Sequence, residues 1–288
     1  MLRYFIFSGF FLFSLFLNAQ EKSLLWKVSG NGLEQESYLF GTIHLLPKGD
    51  YLWTDTMDAA LKASDLLVME IDLSELSLKD KLAMAQDVII PDGKTLEDLM
   101  GPESYEAWVR LMVDSLDLRE RKVRKRYQRI QPFYLQGLIL NDYLGRVKMY
   151  EKELEKIARR KKIPVTGLES IEFQMSLVKG LSMEDQLDML SDITSIQEYF
   201  TMLDLYKKQD LNALEEFSVL SMTEANDGLF MMDFVEKRNR DWVPKIEELI
   251  RKQSCFIAVG ALHLPGEVGV IQLLREQGYQ VEPVLTQD

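Results

Sequence analysis

The chain has 288 residues, and 46 acidic against 34 basic side chains give it a formal net charge of −12. That balance removes the general attraction that nucleic acid and anionic lipid exert on basic proteins, so a nucleic-acid function is excluded from the expectation. A single cysteine, Cys255, rules out an intramolecular disulfide, and the length is enough for one sizeable core.

Residues Met1 to Gln20 place Arg3 ahead of an uncharged apolar run from Tyr4 to Leu17, followed by Asn18-Ala19-Gln20. This pattern reads as a secretory signal peptide over 1–19, cleaved after Ala19, with an uncleaved anchor as the alternative. The apolar run is shorter than the roughly 20 residues a membrane-spanning helix needs. The mature chain, 20–288, is therefore expected to be exported, periplasmic or secreted, with no stable transmembrane segment after cleavage.

Leu24–Ser29 and Glu36–Gly41 flank Gly30-Asn31-Gly32 and predict a hairpin. Asp55–Ala63 has helical spacing, and Leu66–Ile71 reads as a buried strand whose last residues include Glu70. From about 74 to 160 the pattern is helical. Within it the basic run Arg119–Arg126 reads as a solvated helix face, with steering of an acidic substrate or partner as the alternative. Pro164–Glu169 predicts a short strand ending in a glycine and a carboxylate. A second helical stretch covers about 182–253. The end of the chain predicts a strand from Cys255 to Gly260, a helix from Pro265 to Glu276 stopped by Gly278, and a strand from Tyr279 to Leu285; Cys255 is expected to be a buried, inert thiol. The fold class is α/β: a single domain with a central, mainly β-sheet core built from both ends of the chain, flanked by helices, the two large helical insertions forming a cap.

The only two histidines occur in matching phrases, Gly41-Thr42-Ile43-His44-Leu45 and Gly260-Ala261-Leu262-His263-Leu264, each after an apolar run. A pair of satisfied core histidines is the plain alternative, but the repeated context points to one bipartite site, since imidazole is well suited to metals and protons near neutral pH. His44, Glu70, Glu169 and His263 each lie at or just past the end of a strand-like run. In an open α/β sheet ligands bind outside the carboxyl ends of parallel strands, so the four should converge. Gly41 and Gly260 would let the backbone turn sharply or approach a neighbour closely.

Two imidazoles and one or two carboxylates suit Zn, Mn, Co or Fe, and Glu70 is the expected third ligand beside His44 and His263. Such an ion acidifies a bound water and polarises a carbonyl, enough for hydrolysis without a side-chain nucleophile. Glu169 is left as a supporting partner of the ion, a proton shuttle or a plain helix-capping carboxylate. Competing motifs are missing: there is no Gly-x-Ser-x-Gly and no His-Glu-x-x-His, and Gly93-Lys94-Thr95 has Val88 where a phosphate loop needs its first glycine. The other class of function is a non-catalytic protein that binds or sequesters a peptide, haem or a metal, for which the 14 methionines offer adaptable apolar surface.

Tyr38-Leu39-Phe40-Gly41-Thr42-Ile43-His44, Leu67-Val68-Met69-Glu70, Gly167-Leu168-Glu169 with Gln174, Arg238-Asn239, and Val259-Gly260-Ala261-Leu262-His263-Leu264-Pro265-Gly266-Glu267 together resemble the TraB/PrgY/GumN family, which includes the Tiki proteases of animals. The resemblance implies a metal-dependent hydrolase fold related to erythromycin-esterase and haem-binding ChaN-like groups, with peptidase activity on a peptide or protein substrate. It implies His44, Glu70 and His263 as the metal core, Glu70, Glu169 and Arg238 as catalytic residues, and Asn239 in the pocket; no residue is assigned to an organic cofactor. A fixed cation at Arg238 would hold a substrate carboxylate or stabilise an oxyanion, the alternative being a helix-surface position.

Overall fold

A computed structural model describes residues 22–286 apart from 73, 75, 192–193 and 225–227; side chains are described for these except 189, 191, 194–195, 222–224 and 228–234. The expected signal peptide thus lies outside the described residues. The strands are β1 (Leu25–Gly30), β2 (Ser37–Thr42), β3 (Leu46–Pro47), β4 (Leu66–Met69), β5 (Val147–Lys148), β6 (Val165–Gly167), β7 (Cys255–Gly260) and β8 (Tyr279–Pro283). Six of them form one mixed sheet in the order β6-β4-β7-β2-β1-β8, and β3 pairs with β5 in a small separate ribbon.

The hairpin forms as the Gly30-Asn31-Gly32 turn predicts, with Leu25 opposite Phe40 and all three turn residues at positive φ. Its strand β1 pairs antiparallel with β8, whose alternating burial suits a strand with one wet face. On the other side β2, β7, β4 and β6 are parallel neighbours. Every residue of β4 is buried, as are Cys255–Val259 of β7, which is the continuous apolar signature of strands covered on both faces.

Helices α1 (Asp55–Ala63), α2 (Leu78–Asp87), α3 (Leu96–Met100), α4 (Pro102–Asp114), α5 (Glu120–Lys122), α6 (Pro132–Leu144) and α7 (Tyr150–Lys161) lie between β2 and β6. After β6 come α8 (Ile171–Lys179), α9 (Met183–Ser191), α10 (Thr194–Lys207), α11 (Leu211–Glu224) and α12 (Gly228–Ile250), and α13 (Val270–Glu276) joins β7 to β8. Buried apolar residues fall into two clusters. The larger surrounds the sheet. The second, with Tyr105, Trp108, Tyr127 and Leu135 at its centre, belongs to the first helical insertion and takes in Leu190 of α9. Three residues of the basic run are paired with acidic side chains: Arg124 with Glu106 and Glu120, and Lys122 and Arg126 with Asp142.

The last helix starts later than its periodicity predicts. Pro265 opens a turn in which Gly266 has φ +82° and Gly269 donates its N–H to the Gly266 carbonyl at 3.2 Å, so α13 begins only at Val270. Among the described residues no helix is long and apolar enough to cross a membrane. Phe256 sits at the middle of the sheet, fully buried, with ring contacts to Phe40 at 5.7 Å and Trp53 at 6.1 Å. Phe256→Ala is expected to lower unfolding free energy in denaturant titration by about 3–5 kcal/mol, the usual cost of an emptied aromatic site.

Candidate active site

The four parallel strands deliver the four expected groups. His44 follows β2, Glu70 follows β4, Glu169 follows β6 and His263 follows β7, so all emerge at the carboxyl edge of adjacent strands. The strand ladder continues past its formal end: Glu169 N–H donates to the Glu70 carbonyl at 3.0 Å, which sets the two carboxylates side by side. The two glycines are explained by close approach, since neither has positive φ. A Cβ at Gly41 would lie 3.2 Å from Ala261 of the other motif, and one at Gly260 would lie 3.3 Å from Glu70 Oε1. Gly260 N–H donates to that same oxygen at 2.8 Å.

The repeated motifs end in different environments. His263 lies in a 3-10 turn, Ala261–His263, and is 6% exposed. Asn239 on α12 donates Nδ2–H to the carbonyls of His263 (3.2 Å) and Val268 (2.8 Å), so its Oδ1 is the acceptor facing His263 Nδ1 at 2.7 Å. Nδ1 therefore carries the proton, and the Nε2 lone pair accepts from Arg238 Nη1 at 3.2 Å. Trp242 packs against the ring in a tilted arrangement at a centroid distance of 4.4 Å. Burial drives the imidazole pKa down to about 4, against the pull of Glu70.

His44, in an open bend, has a side chain 67% exposed and bonds through Nδ1 to Glu151 Oε1 on α7 at 2.7 Å. That hydrogen bond raises its pKa to about 9. The backbone on either side is braced from α10: Tyr206 donates to the Gly41 carbonyl and Tyr199 to the Leu45 carbonyl, both at 2.9 Å.

Arg238 is the centre of the buried charge. Its Nη2 donates to Glu70 Oε2 at 2.6 Å and to Glu169 Oε1 at 2.7 Å, so it is far from a helix-surface residue. Glu169 also accepts from Gln174 Nε2 (2.7 Å) and Trp242 Nε1 (2.9 Å). The helix cap is supplied by Ser170, whose Oγ accepts from Phe173 N–H, and that removes the capping reading for Glu169. Burial alone would push the Glu70 carboxyl up, but His263, which is protonated only at acid pH, together with His44, Arg238 and the Gly260 N–H, holds it down to about 2. Trp242, Gln174 and Glu151 complete the site. Trp242 stands four residues after Arg238 and so shares its helix face, a readable signal; nothing in the sequence singles out Glu151.

Above this floor lies a cavity of about 300 Å³, lined by His44, Glu70 and Arg238 below and by side chains of α2, α6 and α8 around it. In kind, the donors fit a divalent ion. Each imidazole is held at Nδ1 by a side-chain oxygen, which leaves Nε2 as the donor once the ring is neutral, with the Glu70 carboxylate close to both. Among the described residues no group of three His, Cys, Asp or Glu side chains is arranged to hold a metal ion. The guanidinium of Arg238 takes up both Glu70 Oε2 and the His263 lone pair. Cys255 plays no part: it is buried and its thiol is pushed up to about 12 by burial.

With only two imidazoles, proton NMR should show two ring titrations in the metal-free protein, one near pH 9 and one near pH 4, and none at the ordinary 6.5. Glu151→Gln should move the upper midpoint down and leave the lower one in place. The stability signs are opposite. The raised pKa of His44 adds stability below 6.5 that is lost as pH rises through about 9, while the depressed pKa of His263 adds stability above 6.5 that is lost as pH falls toward about 4. Melting temperature against pH should show both slopes, the His44 one shallow because its ring is exposed.

Residues 24–283 match the TraB/PrgY/gumN family. Among curated proteins the chain is 24% identical to "Metalloprotease TIKI2" of Danio rerio over 90% of this chain and 60% of that protein. It is 24% identical to "Metalloprotease TIKI1" of Danio rerio over 90% and 63%, and 24% identical to "Metalloprotease TIKI homolog" of Amphimedon queenslandica over 92% and 62%. The chain thus spans about 60% of the length of these relatives. No solved structure matches it. A family match over nearly all the described residues, together with both Gly-x-x-His units at one sheet edge, places the assignment beyond a chance motif: the chain belongs to the TraB/PrgY/gumN family.

Proposed function

We propose that the protein is an exported, metal-dependent hydrolase of the peptidase type, with His44, Glu70 and His263 as ligands of a divalent ion. The observation that carries this reading is the pair of imidazoles, each held at Nδ1 and each at the end of a parallel strand next to the Glu70 carboxylate. The names of the relatives, metalloproteases, support the same class. Bound there, an ion of the Mn, Co, Zn or Fe kind would supply Lewis acidity and a nucleophile at neutral pH.

The chain's own groups have distinct tasks. Gly260 N–H fixes Glu70 Oε1, so the carboxylate points one oxygen into the cleft. Asn239 fixes the tautomer and angle of His263. Arg238 places a positive charge at the cleft floor, where it can stabilise negative charge developing on a substrate carbonyl oxygen, and Glu169 holds that guanidinium through both Nε (3.3 Å) and Nη2 (2.7 Å). Glu169, anchored by Gln174 and Trp242, is also the carboxylate available to relay a proton.

A second reading, peptide or metal binding without turnover, is favoured by one observation: Arg238 already satisfies Glu70 and His263. Product analysis after long incubation separates the two, since new peptide termini appear only under hydrolysis.

Calorimetric titration of chelator-stripped protein with each ion tests the site. Glu70→Gln and His263→Ala are expected to weaken the preferred ion at least tenfold and to lower peptide hydrolysis by about a hundredfold or more, with circular dichroism unchanged. Unaltered ion affinity and turnover in both variants would sink the proposal. Because His44 holds a proton up to about pH 9, binding at neutral pH should release it, and affinity should rise about tenfold per pH unit over that range.

A further inference from the structure

The walls of the cavity are apolar. Met84 and Val88 come from α2 and its C-cap, Phe133 from α6, and Met175 and Val178 from α8. All five are partly exposed, and none belongs to either hydrophobic cluster. Their carbons therefore face the cavity without contributing to a core, an arrangement that leaves apolar surface wet until something apolar covers it.

Helix α8 fixes this wall relative to the charged floor. Gln174 donates to Glu169 at 2.7 Å and to Glu70 at 3.3 Å, and Val178, four residues later, lies on the same helix face and lines the same cavity. Among the described residues of the lining, the ionisable groups with a charge at neutral pH are His44, Glu70 and Arg238, all on the floor. A charged side chain pointing up from the floor would lose water with no partner among the wall residues. The volume, about 300 Å³, is at the small end for ligand sites and admits one large side chain with its own backbone, not a protein surface.

We infer that this recess is a side-chain subsite for peptides, selecting a large apolar residue of the Leu, Met or Phe kind over a small or charged one. The position of that residue beside a cleaved bond rests on the hydrolase reading; the selection itself is a property of binding.

The test uses the full chain and the peptides Ala-Ala-Xaa-Ala-Ala with Xaa as Leu, Phe, Gly or Asp, measured by calorimetry and by mass spectrometry of the mixture. The Leu and Phe peptides are expected to bind about ten- to a hundredfold more tightly than the Gly and Asp peptides. Val178→Trp, which fills the recess, should erase that preference, and Val178→Ala, which enlarges it, should shift the preference from Leu toward Phe. Discrimination within threefold in the unmodified protein, no peptide binding at all, or a preference unchanged in both variants overturns the subsite. Selective binding with every peptide recovered intact supports the subsite and removes the hydrolase reading instead.

Discussion

Glu70 and Glu169 emerge from adjacent parallel strands, and their backbones are joined by a hydrogen bond, so two carboxylates are forced together out of water. Arg238 is what makes this tolerable. Desolvating each charge costs several kcal/mol, and removing one partner from a buried cluster typically costs about 3–5 kcal/mol because the others are stranded. The same guanidinium stacks 4.6 Å over Trp242, and its neighbour Asn239 sets the His263 ring, so docking of α12 on the sheet and orientation of the imidazole are one event. A buried cluster of this kind adds little to net stability, because desolvation offsets most of its attraction.

The two Gly-x-x-His units are equivalent in chain position and opposite in character. Parallel pairing of β2 with β7 puts Gly41 against Ala261, so the glycines exist to let two motifs touch. Beyond the glycines the paths diverge. One histidine enters a tight turn under α12 and becomes neutral; the other stays in an open bend, where Glu151 favours its cation. The metal-free site thus pairs an imidazole whose pKa is lowered by burial with one whose pKa is raised by a carboxylate partner.

Much of this was legible in the residues. Apolar runs located every strand of the main sheet, with a glycine at or beside one end of each except Leu66–Met69, and the coincidence of reactive groups at four strand ends anticipated their convergence, because parallel strands share one carboxyl edge. The Gly30-Asn31-Gly32 hairpin was equally plain. What stayed hidden depends on tertiary placement. Glu151 is an ordinary acidic residue in the first turn of an amphipathic helix until α7 packs beside His44, and Tyr199 and Tyr206 look like any core aromatics until their hydroxyls meet the carbonyls flanking that bend. Arg238 entered the expected site through the family resemblance alone, and its direct bonds to Glu70, Glu169 and His263 were not readable, since it lies far along the chain on a helix whose local pattern marks no buried charge.

The second hydrophobic cluster has an evolutionary consequence. The helical insertion holds itself together through Trp108, Tyr127 and Leu135, separately from the packing under the sheet, and it supplies part of the cavity wall through α2 and α6. Mutations in those wall positions disturb neither interior, so they meet little selective resistance from folding. The floor is the reverse case, since Glu70 and Arg238 are each bonded to several other groups. Such a division separates positions that can be varied at little cost to folding from those that cannot, and it locates the residues to randomise in any attempt to reshape the cavity.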